Sequence, residues 1–149
     1  MIEQQIEQDI KSAMLARDTL RLETLRGLKS VFLYSKVAAG TRDKHLTDEQ
    51  STSLISKEAK KRQDSADLYN QGGDQDRAEK ELKEKAILES YLPEKLSEEK
   101  LAAVIDEIIR DIGSDQSNLG QIIGAVKSKT AGTADGADIA RLVKERTAK

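Results

Sequence analysis

The 149-residue chain has room for one ordinary domain or two small helical ones, and none for an elaborate multi-domain enzyme. Apolar residues make up 37% and charged residues 35%, with 3% aromatics and a single proline, a balance that suits amphipathic helices with charged outer faces and argues against a sheet-rich core. With no cysteine and one histidine, a disulfide framework, thiol chemistry and a multi-histidine metal centre are excluded, and a net charge of -2 does not mark a general nucleic-acid binder.

The N-terminal stretch MIEQQIEQDI has neither a basic start nor an apolar signal core. No apolar run approaches the ~20 residues of a membrane span. A cytoplasmic protein without membrane contact is therefore expected. Its first helix is marked by Ile2, Ile6, Ile10, Ala13 and Met14, spaced as one stripe, and ends near Arg17 and Asp18. A second runs from about Thr19 to Ala39 with Leu25, Leu28, Val31 and Phe32 inward, and Gly40 stops it. Thr47 followed by Gln50 fits a capping box, so a long third helix starts there. Its stripe is Ile55, Ala59, Arg62, Ala66 and Tyr69, closed by the turn at Gly72 and Gly73. An unpaired guanidinium on such a stripe is costly to bury, so Arg62 is expected to meet a carboxylate across the unit, with Arg21 and Arg26 as weaker candidates for the same role. The fourth helix covers about Gln75 to Tyr91 and ends at Pro93.

Ser97 caps the fifth helix, whose stripe Leu101, Val104, Ile105, Ile108, Ile109, Ile112 is the cleanest in the chain. A turn at Gly113 to Ser117, a sixth helix from about Asn118 to Lys129, a loop and a last helix from about Ala137 to Arg146 complete the pattern. The fold class is thus all-α, with two packed helical units: four helices in residues 1–92 and three in 97–149.

Charge is unevenly spread. Residues 1–40 carry 6 basic and 5 acidic side chains, residues 41–116 carry 13 and 19, and residues 117–149 carry 6 and 3. Only the C-terminal segment is net basic, which assists phosphate binding but is also common on ordinary surfaces. In the sixth helix Leu119, Ile122, Ile123 and Val126 share one side, while Gly120, Gly124 and Lys127 share another. Each glycine costs the helix about 1 kcal/mol relative to alanine, so a second backbone is expected to come close there. A neighbouring helix is favoured, and a sugar-phosphate chain beside Lys127 is the alternative. Asp135 can cap the last helix, whose first N–H groups favour an anion, although the Asp charge competes for them. Arg141 and Lys144 point outward on that helix, to solvent or to RNA.

Little points to catalysis. Ser128 lies between Lys127 and Lys129, but adjacent helical residues diverge. His45 sits in a charged loop, and the carboxylates recur at helix-surface spacing.

The segments R-L-E-T-L-R from Arg21, K-K-R-Q-D-S from Lys60 and E-S-Y-L-P-E-K-L-S from Glu89, then L-G-Q-I-I-G from Leu119 and G-T-A-D-G from Gly132, together resemble the GatB/YqeY family across nearly the whole chain. The last two resemble the tail domain shared with GatB, with Gly136 where that tail often has proline. The resemblance implies a link to the glutamine-dependent amidotransferase that converts mischarged Glu-tRNA or Asp-tRNA. It places RNA contacts at Gly120, Gln121, Gly124, Lys127 and the corner from Gly132 to Gly136. ATP, magnesium and the amidation chemistry belong to the large catalytic cradle that this chain lacks, so neither catalytic residues nor cofactors are implied. Three functions remain in play: a tRNA- or RNA-binding accessory module, a protein-interaction adaptor whose glycine face receives a partner helix, and a subunit contributing to carbon-nitrogen ligase activity with glutamine as amide donor.

Overall fold

The computed structural model describes residues 1–130 and 133–147. Its elements are α1 (Ile2–Ala16), α2 (Thr19–Ala38), α3 (Asp48–Gln71), α4 (Gln75–Glu89), α5 (Glu98–Ile112), a 3-10 turn (Gln116–Asn118), α6 (Leu119–Thr130) and α7 (Gly136–Thr147). Chain contacts divide them into two compact units, Met1–Leu92 and Pro93–Lys149.

Short polar side chains set several helix starts. Asp18, Asp74 and Ser97 each accept a hydrogen bond from the backbone N–H three residues on. At α3 the capping box is complete: Thr47 Oγ1 accepts from the Gln50 N–H at 3.1 Å, and Gln50 Oε1 accepts from the Thr47 N–H at 3.0 Å. Arg17 closes α1 at φ 54°, a left-handed position that a non-glycine residue seldom takes, and Gly40 turns the chain after α2 at φ 69°.

In the first unit Ile6, Leu25, Leu28, Phe32, Leu46, Ile55, Ala59 and Leu88 form the core. Met14 departs from its expected place on the α1 stripe. It is 51% exposed, with its sulfur 3.8 Å from Arg26 Nη2. α4 stops at Glu89 rather than Tyr91, and Tyr91 and Leu92 pack against the core from outside the helix. Between residues 60 and 86 the buried side chains of the α3–α4 hairpin are Ala66 and Ala78.

The second unit has its own core of Leu101, Ile105, Ile108, Ile122, Val126, Ile139, Leu142 and Val143. The segment after Pro93 is tied into it, since the Leu96 N–H donates to the Thr133 carbonyl at 2.7 Å. Among the described residues no helix is long and apolar enough to cross a membrane, and no group of three or more His, Asp or Glu is placed to hold a metal ion.

Candidate nucleic-acid interface

The hydrophobic stripe of α6 decides what its other side presents. Ile122 and Val126 are fully buried and Leu119 and Ile123 half-buried, which turns Gly120, Gln121, Gly124, Lys127 and Ser128 to the surface. A Cβ built at Gly120 or Gly124 would meet no atom within 4 Å. The favoured expectation of a neighbouring helix against these glycines is therefore corrected for the described residues. α6 packs its opposite face on α5 and α7, which leaves the glycine face open.

Lys127 leaves α6 toward the start of α7. Its Cε and Nζ lie 3.7 and 3.9 Å from where a Cβ of Gly136 would stand. Asp135 acts as the expected local cap, Oδ1 accepting from the Ala137 N–H at 3.2 Å. Gly132 falls outside the described residues.

The two cations expected to face outward on α7 differ. Lys144 is exposed, with no carboxylate at ion-pair distance among the described residues. Arg141 is gathered into acidic neighbours: Nη2 lies 3.0 Å from Glu98 Oε1 and 3.8 Å from Asp138, and Nη1 lies 3.4 Å from Glu145. The Glu98 hydrogen bond above all holds its pKa above the ordinary value. Arg141 lines a cleft of about 170 Å³ with Leu96, Leu101, Asp135 and Leu142. Arg141 does stand on the outer face, as expected, but its charge is already matched by these carboxylates. Lys129 and Arg146 are likewise paired, with Glu107 at 3.0 Å and Asp106 at 2.8 Å. What stays open is a polar face of α6, with Lys127 and Lys144 as cations free of ion pairs among the described residues.

Three polar clusters of the first unit were invisible or only partly visible to residue spacing. Arg62 does meet carboxylates across the unit, Glu84 at 3.3 Å and Glu81 at 3.8 Å. Burial raises the pKa of Glu84, and Arg62 offsets that only in part. Arg21 approaches Asp9 at 3.7 Å and donates to Tyr91 Oη at 3.3 Å, while the Tyr91 hydroxyl donates to Asp9. Burial and the Asp9 contact push the Tyr91 phenol upward. Arg26 meets Met14 rather than a carboxylate.

The third cluster centres on Glu3, which is 6% exposed. Its Oε1 accepts from Lys36 Nζ at 2.6 Å, its Oε2 accepts from the Leu46 N–H at 2.8 Å, and His45 Nδ1 stands 3.3 Å from Oε2. Burial alone would raise the Glu3 pKa, but these donors outweigh it and hold the carboxyl below its ordinary value. A signal was present: on a wheel of about 100° per residue, Glu3 falls within about 20° of Ile10, inside the apolar sector. Ser128 is exposed and makes no hydrogen bond through its side chain among the described residues, so it is not paired with a base there.

A family model described as Yqey-like protein matches residues 3–147. Among curated proteins the chain is similar to altered inheritance of mitochondria protein 41, mitochondrial, of Kluyveromyces lactis, with 33% identity over 130 residues, covering 84% of this chain and 69% of that protein. Proteins of the same description from Eremothecium gossypii and Clavispora lusitaniae are 29% and 28% identical, covering 76% and 87% of this chain and 62% and 66% of theirs. The chain thus spans about two thirds of the length of these relatives. They also correct the expected cytoplasmic location, because all three are mitochondrial proteins. Helix composition and short apolar runs constrain membrane spanning; they carry no compartment address.

Proposed function

The chain belongs to the YqeY-like family, and from that premise we propose that it is an RNA-binding accessory module of glutamine-dependent tRNA amidation, with no catalysis of its own. The observation that supports this reading is the open face of α6. Two glycines that no neighbour within 4 Å requires, Gly120 in the first turn of α6 and Gly124 inside it, lie beside Gln121 and the unpaired Lys127. A sugar-phosphate backbone can approach such a surface closely, the glutamine offers hydrogen bonds, and the lysine neutralises phosphate. Lys144 adds a second free cation on α7. Arg141 is the weaker candidate for a phosphate contact, because Glu98, Asp138 and Glu145 already engage its guanidinium.

A protein-interaction adaptor is the second reading, since the same open glycines can receive a partner helix. Salt separates the two. Phosphate binding falls with salt because bound counterions are released, whereas helix docking on glycines is nearly indifferent to it. The test is tRNA binding by the full chain, comparing Lys127→Gln/Lys144→Gln with Lys80→Gln/Lys83→Gln in the acidic middle region. The first pair is expected to weaken binding roughly tenfold and to lower the salt slope by about one per lysine, the second to have a smaller effect. Equal losses in both, or none in either, refute the site. Glutamine-dependent amidation by the isolated chain would refute the accessory role.

A further inference from the structure

The outer face of α2 carries an apolar stripe that nothing in the first unit covers. Leu33, Tyr34 and Val37 are 45%, 78% and 54% exposed in the last third of a 20-residue helix. One to three turns before them on the same face are Ser30, Gly27, Arg26 and Glu23, all exposed. Gly27 lies well inside the helix, where it costs about 1 kcal/mol relative to alanine, and a Cβ there would meet nothing within 4 Å. Arg26 has no carboxylate at ion-pair distance among the described residues. Its guanidinium reaches only the Met14 sulfur, itself on a half-exposed side chain.

We propose that this face is a two-fold interface between two copies of the chain, with their α2 helices packed antiparallel about Ser30. Antiparallel pairing about Ser30 sets Tyr34 of each copy opposite Arg26 and Gly27 of the other. The bulky ring enters the gap left by the missing Cβ, and the guanidinium gains an aromatic face. Ser30 meets its own counterpart at the axis, where a small side chain permits the ~8–10 Å helix separation of close packing. Leu33 and Met14 flank that contact, and Val37 of each copy stands opposite the exposed Glu23 of the other, against the methylenes of its stem.

The area supports a second copy over a large partner. Covered completely, the exposed parts of Met14, Leu33, Tyr34 and Val37 amount to about 500 Å² per copy, so a pair buries at most about 1,000 Å², the lower bound for a specific interface. An interface of that size belongs to weak, reversible association. This face is apolar where the α6 face is polar, so self-association and RNA binding use different surfaces.

Sedimentation of the full chain from about 2 to about 200 µM tests the proposal by mass action. The mass is expected to rise from 16.5 kDa toward twice that value. Tyr34→Glu and Gly27→Leu are expected to stay monomeric throughout with unchanged helicity, because both positions are open to solvent within one copy. The chain contains no cysteine, so Ser30→Cys provides an independent reading. Under mild oxidation it is expected to cross-link at least about tenfold faster than Lys83→Cys on α4, since only the former pairs with itself at the axis. A parent monomeric at every concentration, a dimer that survives Tyr34→Glu, or equal cross-linking of the two cysteine variants overturns the proposal.

Discussion

Replacing Glu3 with Gln keeps the shape of the side chain and removes its charge, in a place where both oxygens are in use. One accepts from the Lys36 ammonium at 2.6 Å and the other from the Leu46 N–H at 2.8 Å. An amide offers one acceptor and one NH2 group, so in either orientation a donor is turned toward another donor. A charge-assisted hydrogen bond contributes ~1.5–3 kcal/mol, and a stranded buried donor costs ~1–3 kcal/mol. The Lys36 side chain is 14% exposed, which lets the ammonium recover some water. We expect a net loss of about 2–3 kcal/mol, read by urea denaturation at neutral pH. Lys36→Met in the same background should give a coupling of ~1–3 kcal/mol in a double-mutant cycle. The pH dependence has a definite sign. A carboxyl whose pKa is lowered by folding stabilises fully above its unfolded value near 4.5 and loses that contribution as pH falls through the lower folded value. The parent should therefore lose stability more steeply than Glu3→Gln in that acid window. A loss under about 0.5 kcal/mol, or strict additivity with Lys36→Met, refutes the reasoning.

Gly124→Leu places a side chain on the open α6 face, where the added Cβ would meet no atom within 4 Å. It should leave the fold intact, raise helix stability by about 0.5–1 kcal/mol, and weaken tRNA binding measured by fluorescence anisotropy; unchanged binding counts against the interface. Limited proteolysis should cut first within residues 92–96 or 71–74, the boundary and the glycine turn between helices, and mass spectrometry showing initial cleavage inside Leu101 to Ile112 would contradict that.

Local signals were readable because their partners are close in sequence. The Thr47–Gln50 box spans three residues, Gly40 ends α2 where a glycine stop was expected, and the α5 stripe buries Leu101, Ile105 and Ile108. The match of Arg62 to a carboxylate was legible for a different reason: an arginine on an apolar stripe demands one, though the sequence could not say which. What spacing could not show lies in contacts between distant residues. Arg141 belongs to the outer face of α7 by its periodicity, and only the fold brings Glu98, 43 residues away, within 3.0 Å. Glu3 and Leu46 are also 43 positions apart, and no helical period links them. The glycines of α6 signalled a close approach, but spacing could not tell a neighbouring helix from open solvent.

Gly136 opens α7 and lies under the methylene stem of Lys127, at ordinary contact distance from where a Cβ would be. The first position of a helix is where proline is most at home, because its missing N–H would have no partner there anyway. A ring at this position would wedge beneath the stem and narrow the arc through which the ammonium can swing. Glycine leaves that arc wide. Glycine in place of the proline of similar tails thus acts less on the backbone of residue 136 than on the arc open to a lysine nine residues earlier.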